Sequence, residues 1–203
     1  MDDEAEAPKL IVPEKVTTAA AKSAYSSLKS DSKTKVLESP YPNADLVRSG
    51  DRFAVLDHER KEITYYMEFK QRDLEGHKAV FQSMVWRNRE EPGTRDIPQK
   101  VFFEYLLNLH GMITTDNLQT DLGKGFWHNV IIDAAITKRL NVYYCDLNKR
   151  GEPLPIRNRV DLDNLVDEIW GKADENRYRL VLISQKPFSI PVGFDIDDFG
   201  VPT

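Results

Sequence analysis

The stretch from Lys78 to His110 constrains the chain more than any other, because it joins three elements in a fixed order. It opens on the apolar run Ala79-Val-Phe-Gln-Ser-Met-Val-Trp86, whose β-branched and aromatic content and short length favour a strand. A polar, basic loop from Arg87 to Arg95 follows. Asp96 then stands where a helix N-cap belongs, Pro98 falls in the first turn where its missing N–H does no harm, and Val101, Phe102, Tyr105, Leu106 and Leu109 recur at helical spacing. A loop in this position can aim the unpaired N–H groups of a helix N-terminus at an anion, and this one also carries Arg87, Arg89 and Arg95. The same residues fit a solvated connection whose arginines serve only solubility.

At 203 residues and 40% apolar content the chain suits one domain with extensions rather than two full domains. A net charge of −5 does not suit a polyanion binder, and aromatic residues do not interleave with basic ones along the strands, so no nucleic-acid partner is expected. No apolar run approaches the ~20 residues a bilayer crossing requires, so no membrane insertion is expected. The acidic start, Met1-Asp-Asp-Glu-Ala-Glu6, has the wrong sign for a secretory or mitochondrial leader. The single cysteine, Cys145, lies in the apolar run from Val142 and reads as a buried strand thiol in a reducing, cytoplasmic setting. His58, His77, His110 and His128 have no metal-type spacing, so no metal site is expected.

Residues 1–50 read as a tail, a helical arm and a linker. The arm, 13–29, has a thin stripe of Val16, Ala20, Ala24 or Tyr25, and Leu28; it either packs on the main body or on a partner or stays mobile, and Tyr25 and Leu28 favour the packed arm. The linker, 30–50, holds Pro40 and Pro42 and closes at Gly50. Strands are expected at 53–56, 62–70 and 79–86, the second with Ile63, Tyr65, Met67 and Phe69 on one face and Thr64, Tyr66 and Glu68 on the other. Short connections make these an antiparallel meander. Beyond Gly111, a helix C-cap, come a strand at 112–115, a loop at 116–125 and a helix at 124–139 with Phe126, Val130, Ile131, Ala134 and Ala135 inward. A strand at 140–146 and a proline-rich connection at 151–155 lead to a helix capped by Asp161, striped by Leu162, Leu165, Val166, Ile169 and Trp170 and ended by Gly171. A last strand at 178–185 precedes an irregular acidic tail, 187–203. Strands separated by helices should pair in parallel with right-handed crossovers, giving a mixed sheet with helices on its faces.

Three meander strands, a helix launched from a basic loop, a strand, a second helix and two more strands make a layout that resembles the GNAT acyl-CoA N-acyltransferase superfamily over residues 51–186. The chain is also similar to divergent GNAT-like proteins of bacteriophages through Phe81-Gln-Ser-Met-Val-Trp-Arg-Asn88, Val101-Phe-Phe-Glu-Tyr-Leu-Leu107, and Gly111-Met-Ile-Thr-Thr-Asp-Asn-Leu-Gln-Thr120 running into Gly123-Lys-Gly-Phe-Trp127. The resemblance implies an α/β fold: a GNAT-like mixed, mostly antiparallel sheet flanked by helices, behind an N-terminal helical arm. It further implies that the loop holds the pyrophosphate of acetyl-CoA through Arg87, Arg89, Gly93, Thr94 and Arg95, with Glu68 as the base that takes the amine proton.

The chain departs from the family in three places. The family loop has a second small residue that lets phosphates approach the backbone, whereas Arg89-Glu-Glu-Pro-Gly-Thr-Arg-Asp96 has one glycine and three carboxylates. The tyrosine that often serves as acid late in the second helix is missing from Ala134-Ala-Ile-Thr137. Thr120-Asp-Leu-Gly-Lys-Gly125 imitates the loop pattern but precedes the wrong helix. Two classes of function therefore stand: a catalytically degenerate protein that binds a protein partner, as a virion component or a host-directed factor, and an acetyl-CoA-dependent N-acetyltransferase acting on an unknown amine. The departures favour the first.

Overall fold

The structure, a computed structural model, describes residues 16–74, 77–115, 121–146, 152–170 and 179–188. Its strands form a mixed, mostly antiparallel sheet flanked by helices. The chain divides into two compact units, 1–69 with 83–98 and 70–82 with 99–203, so that strands β4 (Glu62–Leu74) and β5 (His77–Arg87) contribute residues to both.

The first unit opens with α1 (Thr18–Ser30), capped by the Thr17 hydroxyl, which accepts from the Ala20 N–H at 3.2 Å. Its buried residues, Ala21, Ala24, Tyr25 and Leu28, fall at helical spacing and pack on Val47, Ala54, Leu56, Ile63 and Tyr66. Of the three dispositions expected for the arm, the structure shows the one packed on the body, with Ala21 rather than Ala20 in the stripe. The span read as a linker is corrected: it holds β1 (Lys35–Glu38) and β2 (Ala44–Ser49), which pair antiparallel with each other, and β2 pairs with β3 (Arg52–Asp57). The polar composition of 30–50 hid them because β1 is exposed at the edge and β2 buries chiefly Ala44, Leu46 and Val47. Gly50 turns the β2–β3 hairpin at φ +61°, where a side chain would be strained.

The strict alternation expected along β4 fails at Thr64. Val55 lies opposite Tyr65 while the next residue, Leu56, lies opposite Ile63, so Thr64 is the extra residue of a bulge. One residue of slip moves side chains across the sheet. Ile63 and Tyr66 therefore join the α1-facing cluster, which Tyr65 and Met67 do not.

In the second unit, β5 and β6 (Met112–Thr114) pair in parallel, Val80 with Ile113 and Phe81 with Thr114. The crossover between them is a helix over 97–110 built of α2 (Ile97–Lys100), a π-helical stretch (Val101–Leu106) and α3 (Leu107–His110). A π turn spans an i→i+5 bond, so the burial phase slips by one residue. Phe103 and Leu107 are buried, and Leu109, expected inward, is 53% exposed. Gly111 ends the helix as expected, at φ +75°, its N–H donating to the Leu107 carbonyl.

A second helix follows as α4 (Asp121–Ile132) and a π-helical stretch (Asp133–Thr137), burying Trp127, Val130, Ile131 and Ala134. It does not return to a parallel partner of β6. Instead β9 (Arg179–Ser184) lies between β6 and β7 (Asn141–Asp146), antiparallel to both, and the two-residue β8 (Leu154–Pro155) pairs with β7. The apolar run Leu180-Val-Leu-Ile183, buried throughout, is what a strand hydrogen-bonded on both sides requires. Helix α5 (Arg159–Trp170) is capped by Asn158, whose Oδ1 accepts from Asp161 N–H at 3.0 Å. Asp161, expected as the cap, instead accepts from the Arg157 N–H at 2.8 Å. The turn glycine Gly76, the start of the 116–125 loop, Gly151, Gly171 and all but two residues of the 187–203 tail lie outside the described residues, as does the N-terminal tail. None of the described helices is long and apolar enough to cross a membrane.

Candidate functional site

The bend that leaves β5 is tied to the β4 bulge. The Asn88 N–H donates to the Thr64 carbonyl at 2.9 Å, and the Thr64 hydroxyl shares a 2.7 Å hydrogen bond with the Tyr41 phenol. Burial pushes the Tyr41 phenol up from its usual range, the bond to Thr64 opposing it. The Tyr41 ring lies against Gly93, where an added Cβ would stand 2.5 Å from the nearest ring carbon. The one glycine of the bend thus makes room for Tyr41.

The bend also closes on itself. Thr94 is fully buried and its hydroxyl reaches the Glu91 carbonyl at 2.8 Å and the Asn88 carbonyl at 3.2 Å. The N–H groups of Glu91, Thr94 and Arg95 donate to carbonyls within the bend, and that of Glu90 to the Asn88 side chain. A short 3-10 turn, Pro92–Thr94, precedes α2. Glu91, with its side chain 13% exposed, pairs with Arg60 at 3.1 Å. Arg87 donates to the Arg95 carbonyl at 3.2 Å. Arg89 and Arg95 are exposed, and among the described residues their guanidinium groups have no partner.

Glu68 lies elsewhere on the same strand as the bulge. It is opposite Arg52, its carbonyl accepts from the Ser83 hydroxyl, and its charge adds to the burial that pushes Tyr66 up to about 12. It lies four positions beyond Thr64, roughly 13 Å along β4. The five loop residues thus sit together, and Glu68 sits four positions along β4 from the bulge that anchors them. Sequence reading missed Tyr41, Thr64 and Arg60, which hold the bend in place; only the Pro40-Tyr41-Pro42 string hinted that Tyr41 was fixed.

Two other constellations stand out. Tyr25, His58, Asp45 and Ser39 form a hydrogen-bonded chain in the first unit. In the second unit an open groove of about 550 Å³ is lined by Arg139, Tyr143, Pro155, Arg157 and Phe188 among others. Its Arg139 and Arg157 side chains have no partner among the described residues. Cys145 is buried, and burial pushes its thiol up to about 12, which leaves almost no thiolate for nucleophilic chemistry. Among the described residues no group of three or more His, Cys, Asp or Glu is placed to hold a metal ion. No protein-family model, curated protein or solved structure matches the chain.

Proposed function

We propose that this is a GNAT-like protein of bacteriophage type in which the acyl-CoA site has degenerated and which acts by binding a protein partner, as a virion component or a host-directed factor. The element order from β3 to β9 supports the fold half of this reading: meander strands, a crossover helix, a parallel partner strand, a second helix, the β7–β8 pair, helix α5 and β9.

The observation that carries the functional half is Gly93 against Tyr41. In a pyrophosphate loop the missing Cβ is the space through which the phosphates reach backbone N–H groups. Here an aromatic ring fills that space, and four backbone donors of the bend already have acceptors inside it. Turning them toward a phosphate would break those bonds and take donors away from the Asn88, Glu91 and Pro92 carbonyls. The enzyme reading keeps one support, the unpartnered, exposed Arg89 and Arg95, and in that reading Glu68 is the base and acetyl-CoA the cofactor.

Thermal unfolding with and without acetyl-CoA separates the two. A ligand at 100 times its Kd stabilises by about 2.7 kcal/mol, a shift of several degrees for a chain of this size. The proposal expects no shift at about 1 mM acetyl-CoA. A saturable shift restores the N-acetyltransferase, whereas copurification of the full chain with virion particles or one defined host protein supports the binder.

A further inference from the structure

We infer that His58 is a proton-sensitive latch that ties α1 to the sheet of the first unit, and that acid opens the α1 side of the latch while leaving its sheet side closed. The Tyr25 hydroxyl on α1 lies 3.1 Å from His58 Nδ1, and His58 Nε2 lies 2.9 Å from Asp45 Oδ2 on β2. The Lys29 ammonium donates to the same Tyr25 oxygen at 3.1 Å, and the Ser39 hydroxyl donates to Asp45 Oδ1 at 2.8 Å. The His58 backbone N–H is separately bound to the Asn43 carbonyl at 2.8 Å, so the ring pivots on a fixed backbone.

This arrangement assigns every proton when the imidazole is neutral. An ammonium only donates, so Lys29 takes a lone pair of the Tyr25 oxygen and the phenol hydrogen is left for Nδ1. Nδ1 then accepts, and Nε2 carries the ring hydrogen to the Asp45 carboxylate. Protonation places a second hydrogen on Nδ1, facing the hydrogen of Tyr25. The phenol must rotate its hydrogen away, and its oxygen is then shared by two cations, Lys29 and the imidazolium. On the other side the imidazolium meets a carboxylate, so the Asp45 bond shortens and strengthens.

Charged groups also flank the ring on its own turn. Asp57 accepts from the backbone N–H groups of Glu59 and Arg60, and its carboxylate lies 3.9 Å from the Arg60 guanidinium, which is paired with Glu91. Lys61 completes the turn at φ +53°. On the α1 side the bond is thus reversed and set against the Lys29 charge, whereas the Asp45 bond gains charge assistance.

Hydrogen exchange on the full chain, corrected for intrinsic exchange chemistry, is compared at about pH 7.5 and about pH 5.5. Protection of the 18–30 amides should fall several-fold at the lower pH while that of 44–49 holds. Tyr25→Phe, which keeps the buried ring, should abolish the difference. Equal protection of α1 at both pH values, or an undiminished difference in Tyr25→Phe, overturns the latch. Nitrogen-15 spectra of the His58 ring give an independent readout: Nε2–H at neutral pH is expected, and Nδ1–H contradicts the proton assignment.

Discussion

The β5–α2 bend and the groove beside β7 both carry arginines, and they use them differently. In the bend, Arg87 and the Arg60 that reaches in from the β3–β4 turn are bound to a carbonyl and a carboxylate, and the backbone donors are closed on acceptors of the bend itself. In the groove, Arg139 and Arg157 line open space beside Tyr143 and Phe188 and have no partner among the described residues. A basic loop before a helix is therefore not yet an anion site. What decides is whether the donors remain unpaired once the chain is folded.

If the bend is a structural joint, its parts should cost stability when changed. Gly93→Ala should have the largest effect, about 2 kcal/mol in urea unfolding, because the new Cβ meets the Tyr41 ring and overpacking costs of that order. Combining it with Tyr41→Ala should give less than the sum of the single losses, since the two residues share one space. Thr94→Val should cost about 1.5 kcal/mol by leaving the Asn88 and Glu91 carbonyls short of a donor in a buried place.

The sequence made the 78–110 unit legible because its strand and its helix are long and strongly patterned and Gly111 supplies a stop. It concealed what depends on distant residues. The Thr64 bulge has no signature in Glu62–Phe69, since a slip is defined by the partner strand. The phase of 101–109 was misread because a π turn leaves the apolar composition intact and changes only which residues face in. The β1–β2 hairpin was legible in part: Leu46-Val47 between Asn43 and Gly50 is a short apolar run between turn residues, outweighed by the prolines and charges around it. Of the bend's arginines only Arg87 is tied down among the described residues, and its acceptor, the Arg95 main-chain carbonyl, is invisible to spacing, as is the Glu91 pair with Arg60.

Smaller effects sharpen the contrast. Asp45→Asn should cost about 1 kcal/mol at neutral pH through its lost bond to His58. The hydrogen bond from His58, the largest cause, holds the Asp45 carboxyl below its usual range. The contribution that needs an ionised Asp45 is therefore present above the ordinary carboxylate pKa and disappears as pH falls through the lowered folded value, so wild type and variant should converge in strong acid. Arg139→Ala and Arg157→Ala should each change stability by less than about 0.5 kcal/mol, as expected of side chains that hold nothing in place.

The central claim is that the 87–96 bend is filled by its own chain and offers no pyrophosphate cradle. Its most direct test is a backbone amide spectrum of the full protein titrated with acetyl-CoA. The account predicts that the Asn88, Gly93, Thr94 and Arg95 resonances stay in place up to about 1 mM ligand, which bounds any binding at roughly −4 kcal/mol or weaker. Saturable shifts of those amides at micromolar ligand would contradict it.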